Sequence, residues 1–213
     1  EHYLLSTRDL AVYPSLDRIA RAPVASLKIE GRMRSPEYVA TVVGIYRRAL
    51  DAIAAGDPWS PSREDMRDLA LAFNREFTEG YILGAPDIMA RDRPGNRGVL
   101  LGTVTGYDPR RREAAVRLTG DLVPHPGDGL AFCTGDPDGD VGAVVRGTPA
   151  VKNGTVRLGV GAPVRVGARA FLTKSADLEE RAKRVMAKPL PQIPIDLSVT
   201  WEDRTPCLEA MVP

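Results

Sequence analysis

The chain is poor in the residues that most often carry chemistry: two cysteines, two histidines, two tryptophans and four phenylalanines among 213 positions. Cys133 and Cys207 are far apart and neither has a CxxC neighbour, so no zinc or cluster site built within this chain is expected. Both are expected to be buried free thiols of a reducing compartment, which fits a cytoplasmic protein. The histidines are His2 and His125, and no HExxH, GxSxG or paired Cys/His arrangement is present. His125 lies between two prolines and reads as a surface-loop residue. Sparse aromatics leave little for base stacking. The apolar runs are too short to cross a bilayer and no secretory leader is read, so no membrane partner is expected. Twenty-nine Lys and Arg offset twenty-eight Asp and Glu, so the +1 balance gives no global footprint for nucleic acid. Such a partner would need a local basic patch.

What is present divides the chain by pattern. Residues 14–22 read as a short amphipathic helix with Leu16, Ile19 and Ala20 on one side. Residues 24–29 read as a strand, followed by a turn at Gly31. Ser35 caps a long helix with Pro36 at its first position, where the missing N–H costs nothing. Val39, Val42, Val43, Tyr46, Leu50 and Ile53 recur at three- and four-residue steps and define its buried stripe, and Gly56 supplies the stop. A second helix over 62–73 would bury Met66, Leu69, Ala70 and Phe73. Residues 75–97 read as a glycine- and proline-spaced linker that wraps against something.

From residue 98 the pattern changes to short β-prone runs separated by turns. The runs are GVLLGTVTGY, EAAVRL, GDGLAFC, VGAVVR, TVRLGV and ARAFLT. Turns are signalled at Asp108-Pro109, Pro126-Gly127-Asp128, Asp138-Gly139 and Asn153-Gly154, the last predicting a tight hairpin. Short strands at near-regular spacing without helices predict a small antiparallel barrel or sandwich over 98–175. A helix over 176–187, with Leu178, Ala182, Val185 and Met186 buried, leads through a proline-spaced linker to two last strands within 195–213. The first residue, Glu1, and the apolar close CLEAMVP read as cut ends, so the chain is expected to be part of a longer polypeptide in which 195–213 opens a further domain.

Two groups of charges are candidates for function. In VASLKIEGR, read as a strand, Lys28, Glu30 and Arg32 share one face while Leu27 and Ile29 share the other. Such charges suit a strand that ends at the mouth of an active site, as at the carboxy-terminal edge of an α/β barrel. A solvated Lys–Glu–Arg ladder accounts for them equally well. Arg110, Arg111 and Arg112 sit at a predicted hairpin tip, and Arg91, Arg93 and Arg97 cluster in the linker; either group could reach phosphates, or be a solvated turn.

The run LKIEGRMRSPEYVATVVGIYRRALD resembles the strongest block of peptidase family U32, the collagenase-like peptidases, with Arg34 where Lys is commoner. YLLSTRDL before it, and FNREFTEGYILG and NRGVLLGTVTGYD after it, are similar to neighbouring blocks of that family. The resemblance implies an α+β chain: residues 1–74 would be the carboxy-terminal remnant of a TIM-barrel-like catalytic domain. The small antiparallel β-barrel would be similar to the second domains of translation factors, with 75–97 as linker and 176–194 as helix and Pro-rich linker. It further implies a hydrolase acting on a peptide or protein, with the barrel positioning substrate and Lys28, Glu30 and Arg32 on the active-site wall. Other members resemble hydroxylases of RNA or of a quinone ring, so the alternative is an RNA- or protein-binding module with Arg110, Arg111 and Arg112 on the nucleic acid. Those hydroxylases are implied to hold an iron–sulfur cluster on cysteines upstream. Cys133 and Cys207 match none of that pattern, so no cofactor is expected in this chain.

Overall fold

The computed structural model describes residues 5–90, 95–134, 139–190 and 192–212. The first region is helical. β1 (Asp9–Leu10) leads through a single turn of 3₁₀ helix at Tyr13–Ser15 into α1 (Leu16–Ala20). The long helix α2 (Pro36–Ala55) begins as its sequence dictates: the Ser35 hydroxyl accepts from the Tyr38 N–H at 3.2 Å and Pro36 occupies the first turn. It ends on Gly56 at φ 80°, the left-handed stop that glycine takes without strain. α3 (Arg63–Ala72) is capped in the same way by Ser62. β2 (Phe77–Thr78) then pairs with β1 in parallel, so the linker wraps back onto the start of the chain.

Two expectations for this region are corrected. Residues 24–29 form no strand, because no described strand runs beside them to complete a ladder. The buried face of α2 is centred on Val42, Ile45 and Ala49, while Val39 and Val43 are exposed. Helices α1, α3 and α4 all pack on α2 and turn its apolar stripe toward that side. Tyr46, Leu50 and Ile53 remain partly buried at the stripe's margin.

The second region is a seven-stranded antiparallel sheet. Its strands are β3 (Val99–Asp108), β4 (Glu113–Leu118), β5 (Gly129–Cys133), β6 (Val141–Val144), β7 (Val151–Lys152), β8 (Thr155–Gly159) and β9 (Arg169–Lys174). The order across the sheet is β6-β5-β9-β3-β4-β8-β7. The Asn153-Gly154 turn forms the hairpin its sequence predicts, with both residues at positive φ. Six residues, 145–150, join the two outermost strands, and seven Cα–Cα steps reach at most ~25 Å. Seven strands laid flat would hold their edges ~29 Å apart, so the sheet must curl. β3 bulges twice to follow the bend, and Gly102 lies between the bulges against β4, where a Cβ would meet the Arg117 carbonyl. Phe132, Leu101, Val104, Val116, Val156 and Leu172 fill the inside as one cluster. The outermost strands β6 and β7 do not pair with each other.

α3 joins the two regions. Leu69 packs into the helical core and Leu71 into the sheet core. α4 (Ala176–Met186), capped by Ser175, closes the junction with Leu178 and Ala182. Val185 and Met186 are exposed, contrary to expectation, since α4 meets its neighbours along a narrow stripe. Asp68 is buried at this junction and accepts from the Arg181 Nη2 at 2.7 Å. Asp128, also buried, accepts from the N–H groups of His125 at 2.7 Å and Ala176 at 2.8 Å, tying a loop to the start of α4. β10 (Asp196–Glu202) and β11 (Thr205–Met211) form the last hairpin, apart from the main sheet. Neither cysteine is in a disulfide, and both are half-buried rather than fully enclosed. His2, Arg91, Arg93 and Asp138 lie outside the described residues.

Candidate functional site

The segment that reads most strongly in the sequence lines a cleft of about 680 Å³. Residues 27–34 form one side of it, and Arg8, Asp9, Tyr38 and Arg75 contribute from β1, α2 and the start of the linker. Ile29 turns inward onto the helical core, which leaves Lys28, Glu30 and Arg32 facing outward in strand-like alternation. Glu30 sits between the two cations, 3.9 Å from the Lys28 Nζ and 3.6 Å from the Arg32 Nε. All three side chains are more than half exposed, so each pairing is weak on its own.

Stronger pairing surrounds them. The Arg75 Nε and Nη2 donate to the Asp9 Oδ1 at 3.0 and 2.6 Å, and its backbone N–H donates to Oδ2 at 2.8 Å. Arg8 donates to Glu76 at 3.0 Å, and Arg97 reaches the same carboxylate at 2.7 Å. Arg97 is thereby drawn into the fold and is no surface phosphate contact, contrary to the linker cluster read from the sequence. Arg34 is held differently: its guanidinium carbon lies 3.3 Å from the Phe73 ring centroid and 6.0 Å from that of Tyr38. Burial pushes the Tyr38 phenol above its ordinary range, so it stays protonated at neutral pH.

The helical core beside the cleft is braced. The buried Tyr13 hydroxyl donates to the Asp65 Oδ2 at 2.7 Å, and the Arg48 Nη2 meets Asp65 at 2.8 Å. Burial, reinforced by the Asp65 carboxylate, pushes the Tyr13 phenol up to about 12. The rings of Tyr46 and Trp59 stand edge-on to Tyr13.

A second cleft, of about 1070 Å³, opens on the sheet. Arg111, Arg112, Arg146, Arg157 and Lys174 line it, against the single carboxylate of Glu113. Asp108 accepts from the Arg110 and Arg111 N–H groups at 2.9 and 3.2 Å and so shapes the hairpin tip. Of the three arginines singled out in the sequence, Arg111 and Arg112 reach the cleft, and Arg110 stays outside its lining. Arg112 donates to the Gly161 carbonyl. Arg146 and Arg157 escaped the sequence reading because they come from separate runs that only the curled sheet brings together. Among the described residues no group of three or more His, Cys, Asp and Glu side chains is placed to hold a metal ion. No described helix is long and apolar enough to cross a membrane.

Residues 1–92 match the model of peptidase family U32, so the resemblance carried by residues 26–51 holds over the helical region. A relative named Collagenase from Porphyromonas gingivalis is 43% identical over 84 residues, covering 38% of this chain and 23% of the relative. tRNA hydroxylation protein P1 of Bacillus subtilis is 37% identical over 86 residues, 39% of this chain and 20% of that protein. tRNA hydroxylation protein P of Escherichia coli is 38% identical over 81 residues, 38% of this chain and 17% of that protein. The matched stretch thus spans less than a quarter of each of these relatives. No solved structure matches the chain.

Proposed function

We propose that the chain supplies part of the active-site mouth and the substrate-positioning region of a U32-family enzyme. Residues 27–34 form one wall of the mouth, with Lys28, Glu30 and Arg32 on it, and the curled sheet holds substrate. In this reading residues 1–74 are the last part of a TIM-barrel-like catalytic domain, and the sheet is a small barrel like the second domains of translation factors. The observation that carries the proposal is the 680 Å³ cleft, because its charged wall lies within the segment matched to the family. The parallel pairing of β1 with β2 supports it, since parallel pairs belong to α/β architectures. The collagenase-named relatives support reading it as a hydrolase of peptide or protein substrates, and the free-thiol reading of its cysteines supports a cytoplasmic setting. Glu30→Gln in the full-length protein tests the wall: turnover should fall about tenfold or more while the melting temperature stays unchanged. Unaltered turnover would remove Glu30 from the site.

The sheet cleft favours a second reading, in which the substrate is RNA and the reaction a hydroxylation, as in the relatives named for tRNA hydroxylation. Five cations around one carboxylate suit a phosphate backbone. An iron–sulfur cluster, in that reading, would be held on cysteines outside this chain. Reversing Arg111 and Arg112 to Glu should weaken RNA binding and flatten its salt dependence by about one unit of slope per lost phosphate contact. An unchanged slope would leave the peptide substrate as the better account.

A further inference from the structure

Of the cleft arginines Arg34 stacks closest on an aromatic ring: its guanidinium carbon lies 3.3 Å from the Phe73 centroid, against 5.7 Å for Arg75, whose guanidinium is bound to Asp9. Arg8 and Arg75 are bound to Glu76 and Asp9, and Arg32 lies beside Glu30. Arg34 makes no ion pair among the described residues, yet it is only partly exposed. Stacking uses the face of the guanidinium, not its rim. The five N–H donors lie in its plane and stay available for a planar, bidentate partner. Phe73 sets that plane from the end of α3, while the Arg34 backbone is pinned by its N–H to the Gly31 carbonyl at 2.9 Å. The stack therefore restricts the side chain before any ligand arrives, which lowers the ordering cost of binding.

The rest of the cleft has the matching charge. Arg8, Lys28, Arg32, Arg34 and Arg75 line it, against Asp9 and Glu30. The Tyr38 hydroxyl, kept protonated by burial, makes a long 3.5 Å contact to the Glu30 carbonyl and can turn to donate elsewhere.

We propose that Arg34, backed by Phe73 and flanked by Tyr38, is an oxyanion-binding site that holds a phosphate or carboxylate group of the ligand at the cleft. The inference rests on this cleft being the substrate mouth and names the chemical group that mouth grips. A lysine at position 34 would keep the charge but lose the flat, forked donor set, so the arginine matters for geometry as well as attraction.

The test is a nitrogen-15 NMR titration of the chain in phosphate-free, low-salt buffer, following the arginine Nε–H signals. Inorganic phosphate and acetate are the two probes, and they separate the two sources of the oxyanion. The proposal expects saturable shifts at Arg34 and at the Tyr38 amide with one or both probes. Exposed Arg18 and Arg63 should respond only weakly and without saturation. Arg34→Gln should abolish the saturable response, and Arg34→Lys should weaken it about fivefold or more, with both variants retaining the wild-type melting temperature. Non-saturating shifts spread over all exposed arginines would overturn it, as would saturable binding that survives Arg34→Gln. Turnover is not read, so loss of the Glu30 role would leave this result standing, and the reverse also holds.

Discussion

The helical region and the sheet solve the problem of an apolar surface in opposite ways. The sheet curls until its inner residues meet, so Phe132, Val156 and Ala170 are wholly enclosed by their own strands. The helical region keeps a smaller core around Tyr13, Leu16 and Ile45 and leaves Leu10, Met33, Val39 and Val43 exposed. Between its helices run residues 24–30, which make no ladder with a described strand. Backbone donors and acceptors that make no ladder bond remain free to meet water or a ligand. The sheet is the more enclosed of the two cores, and each region carries a cleft.

That contrast can be broken by stability measurements. Phe132→Ala should cost about 3–5 kcal/mol in denaturant unfolding, because the curled sheet cannot collapse onto the cavity. Val43→Ala, on the open face of α2, should change stability by less than about 0.5 kcal/mol. Equal losses would mean that the two surfaces are buried alike. A smaller effect is expected in the braced core of the helical region. The Tyr13 phenol is raised from its ordinary value near 10 to about 12 in the folded chain. Its contribution is fully present below pH 10 and is lost as pH rises through 12, a change of roughly 2–3 kcal/mol at most. Tyr13→Phe should flatten the stability profile between those values; an unchanged alkaline slope would show that the Tyr13 phenol is not raised in the folded chain. At the junction of the regions, Arg181→Met should cost about 1–3 kcal/mol by taking the 2.7 Å partner from the buried Asp68 carboxylate, which is left with the longer 3.5 Å pairing to Arg67. Pairing it with Asp68→Leu should recover most of that loss, and failure to recover would point to packing rather than charge.

Local features of the fold were legible because they are written within a few residues. Ser35-Pro36, Gly56 and Asn153-Gly154 fix caps and turns through their own backbones, and the six β-prone runs of the sheet all became strands. Features that depend on distant partners were not. Residues 24–29 alternate like a strand, but pairing is a property of two segments, and the second is not among those described. Val39 and Val43 repeat at helical spacing, yet which edge of an apolar stripe faces inward depends on where α3 and α4 pack. The same limit applied to the sites. Lys28, Glu30 and Arg32 are neighbours in sequence and were found together, as were Arg111 and Arg112. Arg146, Arg157 and the Arg34–Phe73 stack required the folded chain, since nothing local links position 34 to position 73.

The central claim is a division of labour: the helical cleft carries chemistry and the sheet cleft carries binding. Steady-state kinetics of the full-length protein, comparing Glu30→Gln with the Arg111→Glu/Arg112→Glu double variant, test it most directly. The account predicts that Glu30→Gln lowers kcat about tenfold or more with KM little changed, whereas the double reversal raises KM and spares kcat. Both variants altering the same parameter, or neither altering any, would contradict it.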